Sequence, residues 1–300
     1  MDLDKLVDQM RVKPGKKIDL EKDFDPAWTG GYKKKSVDEE ELLAEGIAQL
    51  AKYQERLYAE NRQSLLVVIQ ALDAAGKDSA LAHVLTGLNP TGFQVFSFKA
   101  PNAEELDHDY LWRIVKALPE RGRIGIFNRS HYEEVLAVRV HPSFLGPQRL
   151  PAHTLGEGLW KQRFEEINNF EKYLVQQGTQ IVKIFLNVSK EEQRLQQLER
   201  IDTPEKNWKF NPDDIEERNY WKEYMSAFED LLNHTSTPWA PWYVVPADKR
   251  WFARPAMAAI IARKLAQMDP QFPTVSEEDR QAMVVARKVL VAEGEQAKKK

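Results

Sequence analysis

The ten residues 70–79, QALDAAGKDS, set a glycine and a lysine side by side between two aspartates. Gly76 lets the main chain approach an anion closely, and Lys77 adds a positive charge. At a helix start both would sit beside exposed amides and the positive end of the helix dipole. Those groups together bind phosphate. The pattern G-x-x-x-x-G-K-[ST] would require glycine at position 71 and a hydroxyl at 78, where this chain has Ala71 and Asp78. Ser79 comes one place too late to supply that hydroxyl simply. Carboxylates repel phosphate, so Asp73 and Asp78 make sense around Ala74 and Ala75 when Mg2+ bridges them to the ligand. A surface turn with an incidental Gly-Lys pair is the competing explanation, and the strand–loop–helix setting argues against it.

A second constellation is IFNRSHYEEV at 126–135, where an apolar run ends in Asn128, Arg129 and Ser130. Arg129 can stabilise the oxygens of a phosphoryl group in transit. Glu133, at the following helix start, could hold Mg2+ through water or orient a substrate. The third is ERIDTPEKNWKF at 199–210, whose Arg200, Lys206 and Lys209 lie in a stretch too polar for a core. That is the composition expected of a lid closing over phosphates. Lys99 and Arg113, in FKAPNAEELDHDYLWR at 98–113, are further cations that could face phosphate. His108 between Asp107 and Asp109 has the residue types of a metal cluster, but helical spacing does not put all three on one face.

The elements that must position these groups follow from hydrophobic periodicity. Short apolar runs at 64–71, 93–100, 123–130, 179–188 and 242–247 read as five buried strands. Helical patterns lie at 38–60, 77–88, 102–118, 157–177, 190–201, 215–235 and about 252–268. Alternation of this kind implies an α/β fold with a five-stranded parallel sheet and helices on both faces. Both phosphate motifs then fall at strand carboxyl ends, where such sheets bind ligands. Residues 1–36 read as an extended polar arm carrying KKK at 33–35, residues 37–270 as one domain with a lid around 200–225, and 271–300 as a tail whose end, GEQAKKK, frays.

Composition narrows the classes. In 300 residues, 42% are apolar, enough for a sizeable core, and 30% are charged. A net charge of −3 argues against a general nucleic-acid or membrane-surface binder, so a polyanion must find a local basic patch. Cysteine is absent, which excludes disulfides, thiolate metal sites and cysteine nucleophiles. The opening MDLDKLVDQM lacks the basic and apolar regions of a secretory signal. No apolar stretch approaches the roughly 20 residues of a membrane span. The expectation is a soluble, cytoplasmic protein.

In order along the chain, RVKPG, ALDAAGKDS, FKAPNAEELDHDYLWR, IFNRSHYEEVLAVRV, RIDTPEKNWKF and STPWAPWYVVPADKRW resemble the polyphosphate kinase type 2 family. The likeness runs from about residue 10 to 270 and is greatest to the class III branch, which is similar in having Asn at the second motif where other branches carry Asp. The resemblance implies a P-loop kinase-like three-layer fold with a helical lid. It implies reversible, Mg2+-dependent transfer of a phosphoryl group from inorganic polyphosphate to AMP and ADP, giving ADP and ATP, in a homodimer or homotetramer. Carried over by position, Asp73, Lys77 and Asp78 fall in the Walker A segment, Asn128 and Arg129 in the Walker B segment, and Arg200, Lys206 and Lys209 in the lid. An ATP-dependent nucleoside monophosphate kinase and a non-catalytic polyphosphate or nucleotide binder are the rival expectations.

Overall fold

The computed structural model describes residues 3–36, 38–156 and 158–297. Five strands, β1 (Ser64–Gln70), β2 (Phe93–Ser97), β3 (Ile124–Asn128), β4 (Thr179–Asn187) and β5 (Trp242–Pro246), form one sheet in the order β2-β3-β1-β4-β5. All four pairings are parallel. The central strand explains why its sequence is apolar without alternation: Leu65, Val67 and Ile69 enter the core on one face, Leu66 and Val68 the core on the other.

Helices α1 (Leu3–Met10), α2 (Glu39–Glu60), α3 (Lys77–Val84) and α7 (Arg250–Met268) cover the first face, contributing Val7, Leu57, Val84 and Phe252 among others. Helices α4 (Leu159–Gln176) and α6 (Trp221–Thr235) cover the second through Phe164, Ile167, Phe228 and Leu231. Helix α5 (Lys190–Asp202) follows β4 and leads into the basic segment, and α8 (Glu277–Ala297) ends the described chain.

Four sequence expectations change. The first segment is not an extended arm: α1 buries Leu6, Val7 and Met10, and Val12 N–H donates to the carbonyl of Trp242 at 2.9 Å, closing the edge of β5. The helix expected over 102–118 is two short ones, Ala103–Leu106 and Trp112–Lys116. Asn102 and Glu105 form a reciprocal cap on the first, and Asp109 Oδ1 accepts from Leu111 N–H at 2.9 Å, drawing the backbone out of helix between them. The segment after β3 begins as a 3-10 turn, His131–Val135, before a single α-turn. The tail carries α8, exposed along residues 277–295, while the last three lysines lie outside the described residues.

One buried ionic network fixes the second face. All three protons of the Lys183 ammonium are met, by Glu171 Oε2 at 2.6 Å, the Tyr132 hydroxyl at 2.8 Å and the Thr235 carbonyl at 2.7 Å. Tyr132 in turn donates to Glu171 Oε1 at 2.7 Å. The network joins β4, α4, α6 and the turn that follows Arg129. Replacing Lys183 with Met strands a fully buried carboxylate, so Lys183→Met is expected to lower unfolding free energy by about 3–5 kcal/mol. Urea unfolding checks this, and a loss below about 1 kcal/mol would mean the pair does not organise that face.

Candidate active site

Strand register brings together the two motifs expected to meet phosphate. Ile69 of β1 pairs with Asn128 of β3, and Ser97 of β2 pairs with Asn128 on its other side. The 71–76 loop therefore leaves the sheet next to Asn128 and Arg129, and Arg129 N–H donates to the Ile69 carbonyl at 3.0 Å. Backbone conformation is unusual at both places. Ala74 has φ 59°, Gly76 φ 88° and Arg129 φ 63°. For a non-glycine residue that left-handed region costs roughly 1–2 kcal/mol, and such strain gathers at ligand sites. A Cβ at Gly76 would meet nothing within 4 Å, so the residue leaves open space at the mouth of α3.

Side chains complete the site. Lys77 is buried and donates to the carbonyls of Ala71 at 2.9 Å and Leu72 at 3.1 Å. Arg129 forms an ion pair with Asp73. Burial alone would raise the Asp73 carboxyl, but Lys77 and Arg129 beside it more than offset this and hold it below the usual carboxylate value. Burial lowers the Lys77 ammonium, against the pull of Asp73. Burial raises Glu133, opposed by Arg129 and Lys77. Asn128 Nδ2 donates to Asp78 Oδ1 at 2.7 Å.

These groups open into a cleft of about 650 Å³. Asp73, Ala74, Ala75, Gly76, Lys77, Asp78, Ser79, Lys99, Asn128, Arg129, Arg200, Lys206 and Lys209 all line it. Among the described residues its walls hold eight lysine and arginine side chains and three carboxylates, a local excess of positive charge in an acidic chain. Three of these cations come from the segment expected to form a lid: Arg200 pairs with Asp214 at 3.0 Å, Lys206 pairs with Glu199, and Lys209 lies 5.0 Å from the ring of the exposed Trp208.

Arg113 and Glu133 are not in this cleft. Arg113 donates to Glu105 at 3.0 Å and to the Lys99 carbonyl at 2.7 Å, and lines a neighbouring pocket of about 400 Å³. That pocket is walled by Phe98, Pro101, Ile114, Phe144 and Leu150, and it meets the cleft at Phe98, Lys99, Ala100 and Arg129. Glu133 stands behind Arg129, between this pocket and a small cavity bordered by Asp73, Asp214 and Arg218. Of the carboxylates expected to meet Mg2+, Asp73 and Asp78 line the cleft, and Asp73 and Glu133 border the small cavity. Among the described residues no three His, Asp or Glu side chains are placed to hold a metal ion. His108 instead stacks on Trp112 at 4.0 Å.

Two groups of site residues went unrecognised in the sequence. Arg250 and Arg254 project from the first turns of α7 into the cleft, and Arg254 donates to the Ser79 hydroxyl at 3.1 Å. Their spacing of four after a strand end is the signal that could have found them. Gln193 of α5 donates to the Asp73 carbonyl at 2.8 Å, tying the loop to α5; nothing in its type or spacing marks it.

A family model described as Polyphosphate kinase 2 matches residues 32–273. The chain belongs to the polyphosphate kinase 2 family. It is 46% identical over 284 residues to the ADP-polyphosphate phosphotransferase of Rhodopseudomonas palustris, covering 94% of this chain and 98% of that one. It is 43% identical over 263 residues to the AMP/ADP-polyphosphate phosphotransferase of Meiothermus ruber, covering 88% and 94%. The crystal structure of Polyphosphate Kinase 2 from Arthrobacter aurescens TC1 superposes with a TM-score of 0.83 at 38% identity, over 95% of this chain and 97% of that one. The five-stranded P-loop kinase-like fold is thus that of a polyphosphate kinase 2.

Proposed function

We propose that this member of the polyphosphate kinase 2 family moves a phosphoryl group from inorganic polyphosphate to AMP and ADP, forming ADP and ATP, and that the reaction is reversible. The observation that carries this reading is the meeting of two unlike cavities at Arg129: a basic cleft suited to a polyanion and a largely apolar pocket suited to a nucleoside. The Meiothermus ruber relative is named for AMP and ADP and the Rhodopseudomonas palustris relative for ADP, which supports these substrates. A homodimer or homotetramer and a cytoplasmic location, where nucleotides are abundant, go with it. Among the described residues no helix is long and apolar enough to cross a membrane.

The donor chain lies in the cleft with its terminal phosphate against Gly76 and the start of α3. An oxygen of the nucleotide's last phosphate attacks the terminal phosphorus of the chain. The new P–O bond forms as the bridging P–O bond breaks, and a polyphosphate shorter by one unit leaves. That attacking oxygen is already ionised near neutral pH, so no general base is needed. The protein's part is alignment and charge: Lys77 on the donor oxygens, and Arg129 on the group in transit. Hard oxygen donors suit Mg2+, which takes one or two carboxylates and fills its remaining positions from phosphate and water. The exposed Asp78 carboxylate fits that role, held by Asn128, whose own Oδ1 is buried without a hydrogen-bond partner. Bound there, Mg2+ would neutralise charge on the phosphates.

Purified protein with Mg2+, AMP and polyphosphate is expected to give ADP and then ATP without added ATP. Product only when ATP is supplied would establish an ATP-dependent monophosphate kinase, and binding without product a sensor. Polyphosphate KM is expected to rise steeply with salt, because the bound chain displaces counterions from several cations. A KM unchanged between low and high salt would refute electrostatic capture in the cleft.

A further inference from the structure

The basic cleft continues past α7. A second, open cavity of about 880 Å³ shares Gln196, Glu199, Arg250 and Arg254 with it and extends to the turn at Thr29–Lys34. Three more cations border this outer cavity: Lys33, Lys34 and Lys249. Its acidic groups are already engaged. Glu39 pairs with Arg254 at 3.4 Å, Glu199 pairs with Arg250 at 2.8 Å, Asp248 accepts from Ser189 N–H at 2.8 Å, and Glu192 accepts from the side-chain amide of Gln196. Among the described residues, Lys33, Lys34 and Lys249 pair with no carboxylate.

The turn that carries the first two lysines is anchored. Trp28 packs edge-on against Phe252 of α7 at 5.7 Å, and Asp248 N–H donates to the Pro26 carbonyl at 3.1 Å. Gly30 and Gly31, at φ 63° and 83°, reverse the chain, and Thr29 Oγ1 closes the turn on the Tyr32 carbonyl at 2.7 Å. Lys33 and Lys34 therefore stand at a fixed place beside the start of α7 rather than on a free arm.

We propose that this outer cavity is a distal polyphosphate subsite, gripping the chain away from the phosphate being transferred and conferring preference for long chains. The inference rests on polyphosphate being the donor. A ligand that reaches from Gly76, past Arg254 and Arg250, to Lys33 must be an extended polyanion. A nucleoside mono- or diphosphate is too short to occupy both ends. The cations line both cavities continuously, and Arg250 and Arg254 belong to each. The outer lysines touch no group assigned to the transfer step, so they act on affinity through chain length.

The test replaces Lys33, Lys34 and Lys249 together with Ala and compares long-chain polyphosphate with tripolyphosphate as donor. Three weak phosphate contacts together predict a KM for the long chain raised about tenfold. The KM for tripolyphosphate and both kcat values are expected to stay as in the parent protein. The log–log dependence of long-chain KM on salt should become shallower by about two, one lost counterion release per contact or slightly less. Lys33→Glu with Lys34→Glu should weaken the long chain further still. An unchanged long-chain KM overturns the subsite, and so does an equal rise for both donors, which would place the lysines' effect at the transfer end. Direct binding of labelled long-chain polyphosphate separates the two layers of inference. If the parent protein does not use polyphosphate as a donor, the functional reading fails. The subsite then stands or falls on whether the triple variant binds that chain about tenfold more weakly.

Discussion

Arg129→Ala is expected to lower kcat for the polyphosphate-dependent reaction by about 10³-fold or more, while KM for AMP changes far less. The size of the effect follows from position. Arg129 borders the basic cleft, the apolar pocket and the small cavity, so its guanidinium stands where donor and acceptor phosphates would meet in the proposed reaction. Phosphoryl transfer spreads charge over three equatorial oxygens, and a planar fork with fixed donors meets that charge better than a mobile ammonium. Arg129→Lys is therefore expected to recover only part of the loss. Stability should barely move. The left-handed backbone at 129 is as costly for Ala as for Arg, and the lost ion pair with Asp73 is partly exposed, contributing at most about 1 kcal/mol. Steady-state kinetics with a thermal-unfolding control decides the matter. An Arg129→Ala enzyme that keeps more than about a tenth of kcat would show that transfer occurs elsewhere.

The sheet and the place of the Gly76–Lys77 loop at a strand's carboxyl end were legible in the sequence because both depend on local rules. A strand buried on two faces must be apolar throughout, and a loop that opens a helix with Gly76 and Lys77 declares its ligand by charge and backbone freedom. What it hid depends on pairings between distant segments. Nothing in IFNRSHYEEV says that Asn128 lies beside Ile69; the parallel register does. Glu133 was expected at a helix start, to hold Mg2+ through water or to orient a substrate. The chain turns there as a 3-10 segment and leaves it behind the arginine. Arg113 was placed on one long helix as a cation that could face phosphate; the caps at Asn102 and Asp109 break that helix, and Arg113 is bonded to Glu105 in the wall of the neighbouring pocket. Arg250 and Arg254 were overlooked because the helix that carries them lies far along the chain from the loop it faces. The N-terminal segment reads as polar by average, yet Leu6, Val7 and Met10 recur at helical spacing and bury completely or nearly so. Averages miss a short amphipathic stripe that has a partner waiting across the sheet edge.

Lys77→Ala is expected to cost about 10²–10³-fold in kcat, and its pH behaviour gives the sharper test. Two of the three ammonium protons of Lys77 are directed at the carbonyls of Ala71 and Leu72, which leaves one for the donor phosphate. The same burial that aims it disfavours its charge, and the Asp73 carboxylate only partly compensates, so its folded value lies below the ordinary 10.5. Since the charged form is the working one, activity is present at low pH and is lost as pH rises through that lowered value. The alkaline limb of kcat/KM, which reports the free enzyme, should therefore fall before an ordinary lysine would titrate. Bound phosphate brings negative charge to the ammonium and raises its pKa, so the limb in kcat should lie at higher pH than the limb in kcat/KM. Lys77→Arg cannot lose its proton in this range, and whatever activity it retains should show neither limb. Identical alkaline limbs in the parent enzyme and in Lys77→Arg would assign the titration to another group. Unchanged kcat in Lys77→Ala, with the protein folded, would remove the lysine from the donor site altogether.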